Sequence, residues 1–261
     1  MPSTLNQALA SAHRQRPTGP KQPRLLIAGA GGVLGGEVTR RLIGCGRFSQ
    51  VQVLLHEPMQ VALRHVTPVI VPAHLQHPPT AGTQDAPGWP STQADVAVVM
   101  FEPPRGFYQR ERSFWTPDPT RLPALAAWLR EAGVRDLLVL TPHQSGRLPQ
   151  ALQHGLAHID EAATAALGFE RVLLLRAAST LAQRGNPGLP HRVAAWMLGI
   201  FRYMVPTTQQ PVRAVHLARV VDATLVRAPP GVHVLGPELL HAAQADPARV
   251  LDAYFGAVPS P

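Results

Sequence analysis

Hydrophobic positions along this chain fall into short dense runs, separated by stretches where they recur every three or four residues. The runs Arg24–Ala28, Gln50–Leu55, Thr67–Val71, Asp95–Phe101, Asp136–Leu140 and Arg171–Leu175 are bounded by Gly, Pro or polar residues and predict strands. Val96-Ala97-Val98-Val99-Met100 has no polar alternation, which points to a strand covered on both faces, as in a parallel sheet. Helical spacing fills the gaps: Gly35–Ile43, Leu122–Glu131 with Gly133 beyond its end, and Pro149–Leu167 with Gly168 beyond its end. Strand–helix alternation predicts an α/β fold with a doubly wound, mostly parallel sheet. After the sixth strand the rhythm changes. Leu189–Val205, carrying Trp196, Met197, Phe201 and Tyr203, and Val212–Val226 read as helices, and Gly231–Leu235 as a short strand. Residues 1–23 contain no acid and are rich in Ser, Thr, Gln, Pro and Arg, so they read as a flexible basic arm. The expected organisation is that arm followed by one domain over 24–261, whose part from about residue 185 forms a small C-terminal extension on the substrate side.

The junction between the first strand and the first helix carries the candidate chemistry. Leu25-Leu26-Ile27-Ala28 runs into Gly29-Ala30-Gly31-Gly32-Val33-Leu34-Gly35, with the spacing Gly29-x-x-Gly32-x-x-Gly35. Glycine there permits a sharp turn, lets the backbone approach a diphosphate, and allows a helix to sit close on a strand. The helix start offers unpaired N–H groups to phosphate oxygens. Gly29, Gly31, Gly32, Val33, Leu34 and Gly35 are therefore candidate contacts to a dinucleotide in a Rossmann-like fold; a plain packing turn needs the same glycines. The second strand ends Leu55-His56-Glu57, and Glu57 lies where an acid accepts hydrogen bonds from an adenosine ribose and repels a 2′-phosphate. NAD is accordingly preferred over NADP, although Arg40 and Arg41 on the first helix are available to a phosphate.

The order of elements from Arg24 to Leu235 resembles the atypical short-chain dehydrogenase/reductases, a branch of NAD(P)H-binding Rossmann proteins. The glycine spacing, Glu131-Ala132-Gly133-Val134-Arg135 before the fifth strand, Ala166-Leu167-Gly168-Phe169-Glu170 with Leu173-Leu174-Leu175-Arg176, and Ala214-Val215-His216-Leu217-Ala218 carry the likeness. The resemblance implies NAD(P)-dependent hydride transfer by a Tyr-x-x-x-Lys pair on the helix after the fifth strand. Here those positions fall on Gln153 and Ala157, and Lys21 is the only lysine in the chain. The family's serine-rich strand end is Thr141-Pro142-His143, its Gly-Thr turn after the fourth strand is Glu102-Pro103, and its basic pair after the second strand is His56-Glu57. Glu102 brings bulk and negative charge to the place where the nicotinamide half lies in that family.

If the protein is an enzyme, its acid must be unusual. His143 and Ser145, with Thr141, lie in the loop at the carboxyl end of the fifth strand, where open α/β sheets bind ligands. His154 shares a helix face with His158 and suits proton transfer near neutral pH. The bland readings are a polar turn and two solvated histidines. Tyr108 and Arg112 imitate the Tyr-x-x-x-cation spacing but follow the fourth strand, and so read as a lid or interface loop. No Cys/His metal cluster of recognised spacing is present, and no metal is expected.

Composition narrows the partners. The net charge of +8 comes from scattered arginines without interleaved aromatics, so nucleic-acid binding is not expected. No run approaches the ~18 apolar residues of a membrane span. The single Cys45 allows no intramolecular disulfide and suits a reducing cytoplasm. Two functions stand side by side: a dinucleotide-binding reductase-like protein acting on an unidentified small molecule, or a non-catalytic Rossmann scaffold that serves as a redox sensor or binds a protein partner or a second copy of itself.

Overall fold

In a computed structural model of the chain, the residues described are 22–58, 65–72, 75, 78, 89–102, 109–143, 161–178 and 213–257. Among these residues seven strands form one sheet: β1 (Arg24–Ala28), β2 (Gln50–Leu55), β3 (Val66–Ile70), β4 (Val96–Met100), β5 (Asp136–His143), β6 (Arg171–Ala178) and β7 (Gly231–Leu235). Their order is β3-β2-β1-β4-β5-β6-β7, and every pairing is parallel. This is a doubly wound Rossmann-like sheet, with the order reversing between β1 and β4.

The helices are α1 (Gly32–Gly44), the single turn α2 (Gln109–Arg112), α3 (Leu122–Glu131), α4 (Ala214–Arg227), α5 (Pro237–Ala242) and α6 (Pro247–Ala257). Residues 161–165 are also helical, the described part of the helix expected over Pro149–Leu167. Alternate residues of the strands feed two cores. Leu25, Ile27, Val98, Met100 and Leu173 pack with Val38 and Leu42 of α1, Leu217 and Val221 of α4, and Phe255 of α6. Leu26, Ala28, Val99, Leu137 and Val139 pack on the other face with Leu125 and Leu129 of α3. Consecutive apolar residues in the central strands β1, β4 and β5 are what a sheet covered on both faces requires.

Several boundaries differ from expectation, each for a local reason. Helix α1 begins at Gly32, three residues early, because Gly31 already acts as its N-cap in extended conformation. Strand β3 is displaced by one residue, while Val71 N still donates to Leu55 O at 2.7 Å. Strands β5 and β6 run on to His143 and Ala178, pairing Thr141 with Arg176 and Pro142 with Ala177. Strand β4 stops opposite Leu140, so Pro142 falls where β5 has a strand on one side only, a place a sheet accepts proline. Helices α5 and α6 were not expected; each opens on a proline, Pro237 and Pro247, whose missing N–H costs nothing in a first turn. The helix expected over Leu189–Val205 lies outside the described residues.

Candidate functional site

In an open sheet of this topology a ligand lies beyond the carboxyl ends of the strands, at the reversal between β1 and β4. The glycine turn sits there. Gly29 and Gly32 have φ of 82° and 77°, values that disfavour side chains. A Cβ at Gly29 would lie 1.8 Å from Met100 O, and one at Gly35 would lie 2.6 Å from Gly29 O. Both glycines are thus required by contacts within the protein: β1 against β4, and α1 against its own turn.

Four amides of the turn and the first helical residues, those of Gly29, Gly32, Leu34 and Gly35, are taken. Glu102, two residues past β4, turns one carboxylate oxygen to the start of α1, where Oε2 accepts from Leu34 N at 2.5 Å and Gly35 N at 3.3 Å. Oε2 of Glu111, a buried residue of α2, accepts from Gly32 N at 3.2 Å. Gly31 has no side chain to cap the helix, and these two carboxylates do so from elsewhere in the chain. Carboxylate oxygens at a helix N-terminus meet both its unpaired N–H groups and its positive dipole end, the combination that also attracts phosphate. A Cβ at Gly32 would lie 2.4 Å from the Glu102 side chain, so this glycine makes room for the carboxylate.

The adjoining space, between the turn and the end of β2, is also filled. Residues 113–115 run antiparallel to β2 there: His56 N donates to Ser113 O at 2.7 Å and Trp115 N to Leu54 O at 3.1 Å. Gly29 N in turn donates to Trp115 O at 3.1 Å. The strap is anchored by Trp115, buried in the core, whose ring lies edge-on to Trp89 at 5.8 Å. Trp89 meets Trp128 of α3 in the same way at 5.7 Å. An adenosine in a Rossmann-like crevice occupies the space between the glycine turn and the acid after β2.

The expected site residues are placed as follows. Gly29, Gly31, Gly32, Val33, Leu34 and Gly35 form the turn and first helical residues, with Val33 turned to solvent. Glu57 is exposed at the carboxyl end of β2. Thr141 is on β5, where its hydroxyl lies 3.4 Å from Leu175 O. His143 ends β5, but its side chain, Ser145, His154 and the positions Gln153 and Ala157 lie outside the described residues. Glu111 and the strap were missed as occupants of the crevice. The signal in the sequence was a pair of acids, Glu102 and Glu111, flanking the switch-point loop in a chain with few acids. Among the described residues no cluster of three or more His, Cys, Asp or Glu is arranged to hold a metal, and no helix is long and apolar enough to cross a membrane.

No family model matches the sequence, and no curated protein matches it. Solved structures to which the chain is similar include a glucuronic acid dehydrogenase from Chromohalobacter salexigens, at 15% identity over 82% of this chain and 75% of that one, with a TM-score of 0.45. A nucleoside-diphosphate-sugar epimerase from Staphylococcus aureus has 12% identity over 91% and 97%, with a TM-score of 0.44. The Bordetella bronchiseptica enzyme WbmG, solved in complex with NAD, has 16% identity over 95% and 84%, with a TM-score of 0.39. The fold assignment rests on the strand order of the chain itself.

Proposed function

We propose that this protein is a non-catalytic Rossmann scaffold of the atypical short-chain dehydrogenase/reductase type, its dinucleotide crevice filled by its own chain, and that it works through protein contacts. The observation that carries this reading is the Glu102 carboxylate on the amides of Leu34 and Gly35. Glu111 on Gly32 N and the strap at 113–115 support it. The diphosphate of a dinucleotide would bring two negative charges to amides that already hold two carboxylates. Like charges about 4 Å apart repel by roughly 4 kcal/mol per pair near a protein surface. The missing lysine of the hydride-transfer pair points the same way, since Lys21 precedes β1. With the crevice closed, the partner is a protein or a second copy of the chain, in the reducing cytoplasm that suits Cys45.

One observation favours the reading as a nicotinamide dinucleotide binder. Three turn amides converge on anionic oxygens, and Glu57 stands exposed beyond β2, so NAD, ahead of NADP, has the contacts it needs once the carboxylates move away. His143, Ser145 and His154 are then the acids to replace. Titration with NADH and NADPH, followed by nicotinamide fluorescence, separates the two readings. The scaffold gives no saturable signal up to about 1 mM nucleotide, a free energy near −4 kcal/mol. Saturation well below that concentration overturns the scaffold in favour of the binder.

A further inference from the structure

At the opposite edge of the sheet, beneath the amino ends of β4, β5 and β6 and the last turns of α1 and α4, lies a cavity of about 390 Å³. That is within the size range of small-molecule sites. Its apolar wall is Phe48, Val96, Leu225 and Val226. Val226, one residue before the end of α4, is 55% exposed, more than Val215 at the start of the helix (43%), while Val220 and Val221 between them are fully buried. An apolar rim left open around a concavity is a feature of binding sites.

Its charged groups are paired one to one, with one exception. Arg171 holds Asp136 through two hydrogen bonds, Nε to Oδ1 at 2.8 Å and Nη2 to Oδ2 at 2.5 Å, and gives Nη1 to Leu225 O and Ala228 O at the end of α4. Asp136 thereby raises the pKa of the Arg171 guanidinium against the lowering by burial, and the pair is charge-balanced. Arg24 and Asp95, on the same edge, are balanced too. Arg47 is not. It shares the single carboxylate of Asp222 with Arg41, so two cations face one anion. Its Nη1 and Nη2 also donate to Asp222 O at 3.4 and 3.3 Å, its Nε is buried with no hydrogen-bond partner among the described residues, and its guanidinium lies 5.8 Å from the Phe48 ring centroid, at the cavity wall.

We infer that this cavity binds a small monoanionic amphiphile, a medium-chain carboxylate, with its hydrocarbon body against Phe48, Val96, Leu225 and Val226 and its carboxylate beside Arg47. The excess of one positive charge selects the anion, and the apolar wall selects the body. The site is separate from the glycine turn and independent of whether a dinucleotide binds there.

Isothermal titration of the full chain with octanoate and with 1-octanol tests it. Octanoate is expected to saturate one site at about 1 mM or tighter, the affinity reasonable for a ligand of that size. Val226→Trp, a change at an exposed position that fills the mouth, abolishes binding of both compounds. Arg47→Met leaves Asp222 with Arg41; it weakens octanoate by about tenfold or more and leaves 1-octanol within about twofold, because only the anion loses a partner. Far-UV circular dichroism checks that each variant is folded. Absence of saturable octanoate binding by the full chain overturns the inference. So does unchanged affinity in folded Val226→Trp, or equal weakening of acid and alcohol by Arg47→Met.

Discussion

At the scale of single residues, the decisive groups are carboxylates. Glu102 reaches from the end of β4 to the first turn of α1 and satisfies two N–H groups that the helix cannot satisfy itself. Glu102→Ala is expected to lower stability by about 1–2 kcal/mol, the loss of a charge-assisted cap, read as a shift in urea midpoint. The same variant frees the amides for another anion, so inorganic pyrophosphate should raise its melting temperature more than that of the unaltered protein. Equal stabilisation of both would mean that the carboxylate does not block the turn. Asp95 offers a different test. Burial alone would raise its carboxyl, but hydrogen bonds from the Arg24 backbone N–H and guanidinium, with the charges of Arg24 and Arg135, outweigh burial and hold it below the usual value of 3.8. A depressed folded pKa contributes stability that is present above the unfolded value and lost as pH falls through the folded one. Denaturation from neutral pH to about pH 2 should show that loss below the ordinary carboxylate range, and Asp95→Asn should flatten that part of the curve.

At the scale of elements, the central strands β1, β4 and β5 were legible because each is apolar at consecutive positions, as a strand buried on both faces requires. The edge strands β3 and β7 are partly exposed and were read from short β-branched runs. Helices α5 and α6 were less legible, since Gly236-Pro237 and Asp246-Pro247 read as loop punctuation until the prolines are seen in first turns. The glycine turn was legible as a turn, but its purpose was not. Gly29 and Gly35 answer to backbone atoms of Met100 and of the turn itself, contacts between segments far apart in sequence or set by local close packing. Glu102 stood out in the sequence as a misplaced charge, yet only the tertiary structure sets it on the amides of α1 rather than beside a nicotinamide. The glycines therefore divide by role, and substitution should reveal the division. Gly29→Ala forces a Cβ into Met100 O at a positive φ and should cost more than about 2 kcal/mol. Gly36, exposed on α1 with open space beyond it, should gain about 0.5–1 kcal/mol as alanine through helix propensity alone. Thermal denaturation of the two variants side by side reads both signs. A Gly29→Ala protein as stable as the parent would mean that the turn relaxes without strain and that glycine serves something other than packing there.

At the scale of the molecule, the question is whether the filled crevice is part of the folded core or a cover laid over it. The strap at 113–115 bonds to β2 on one side and to Gly29 on the other, and its Trp115 belongs to the same core as Leu26, Val99 and Leu129. Detaching it would expose a fully buried indole and break three backbone hydrogen bonds together, which ties opening of the crevice to loss of that core. The amides of Gly29, His56 and Trp115, whose hydrogen bonds join the strap to the sheet, should then resist hydrogen exchange as strongly as Leu26 and Ile27 within β1. Destabilisation by urea should lower the protection of all five together, as global unfolding requires. A scaffold gains from this arrangement, because a crevice closed from within gives its outer surfaces a fixed shape without waiting for a ligand. A binder needs the reverse: Gly29, His56 and Trp115 exchanging well ahead of β1, through an opening cheap enough for a dinucleotide to exploit. Measured on the free protein, early exchange at those three positions would return the crevice to NAD, and uniform protection would leave it to the chain's own carboxylates.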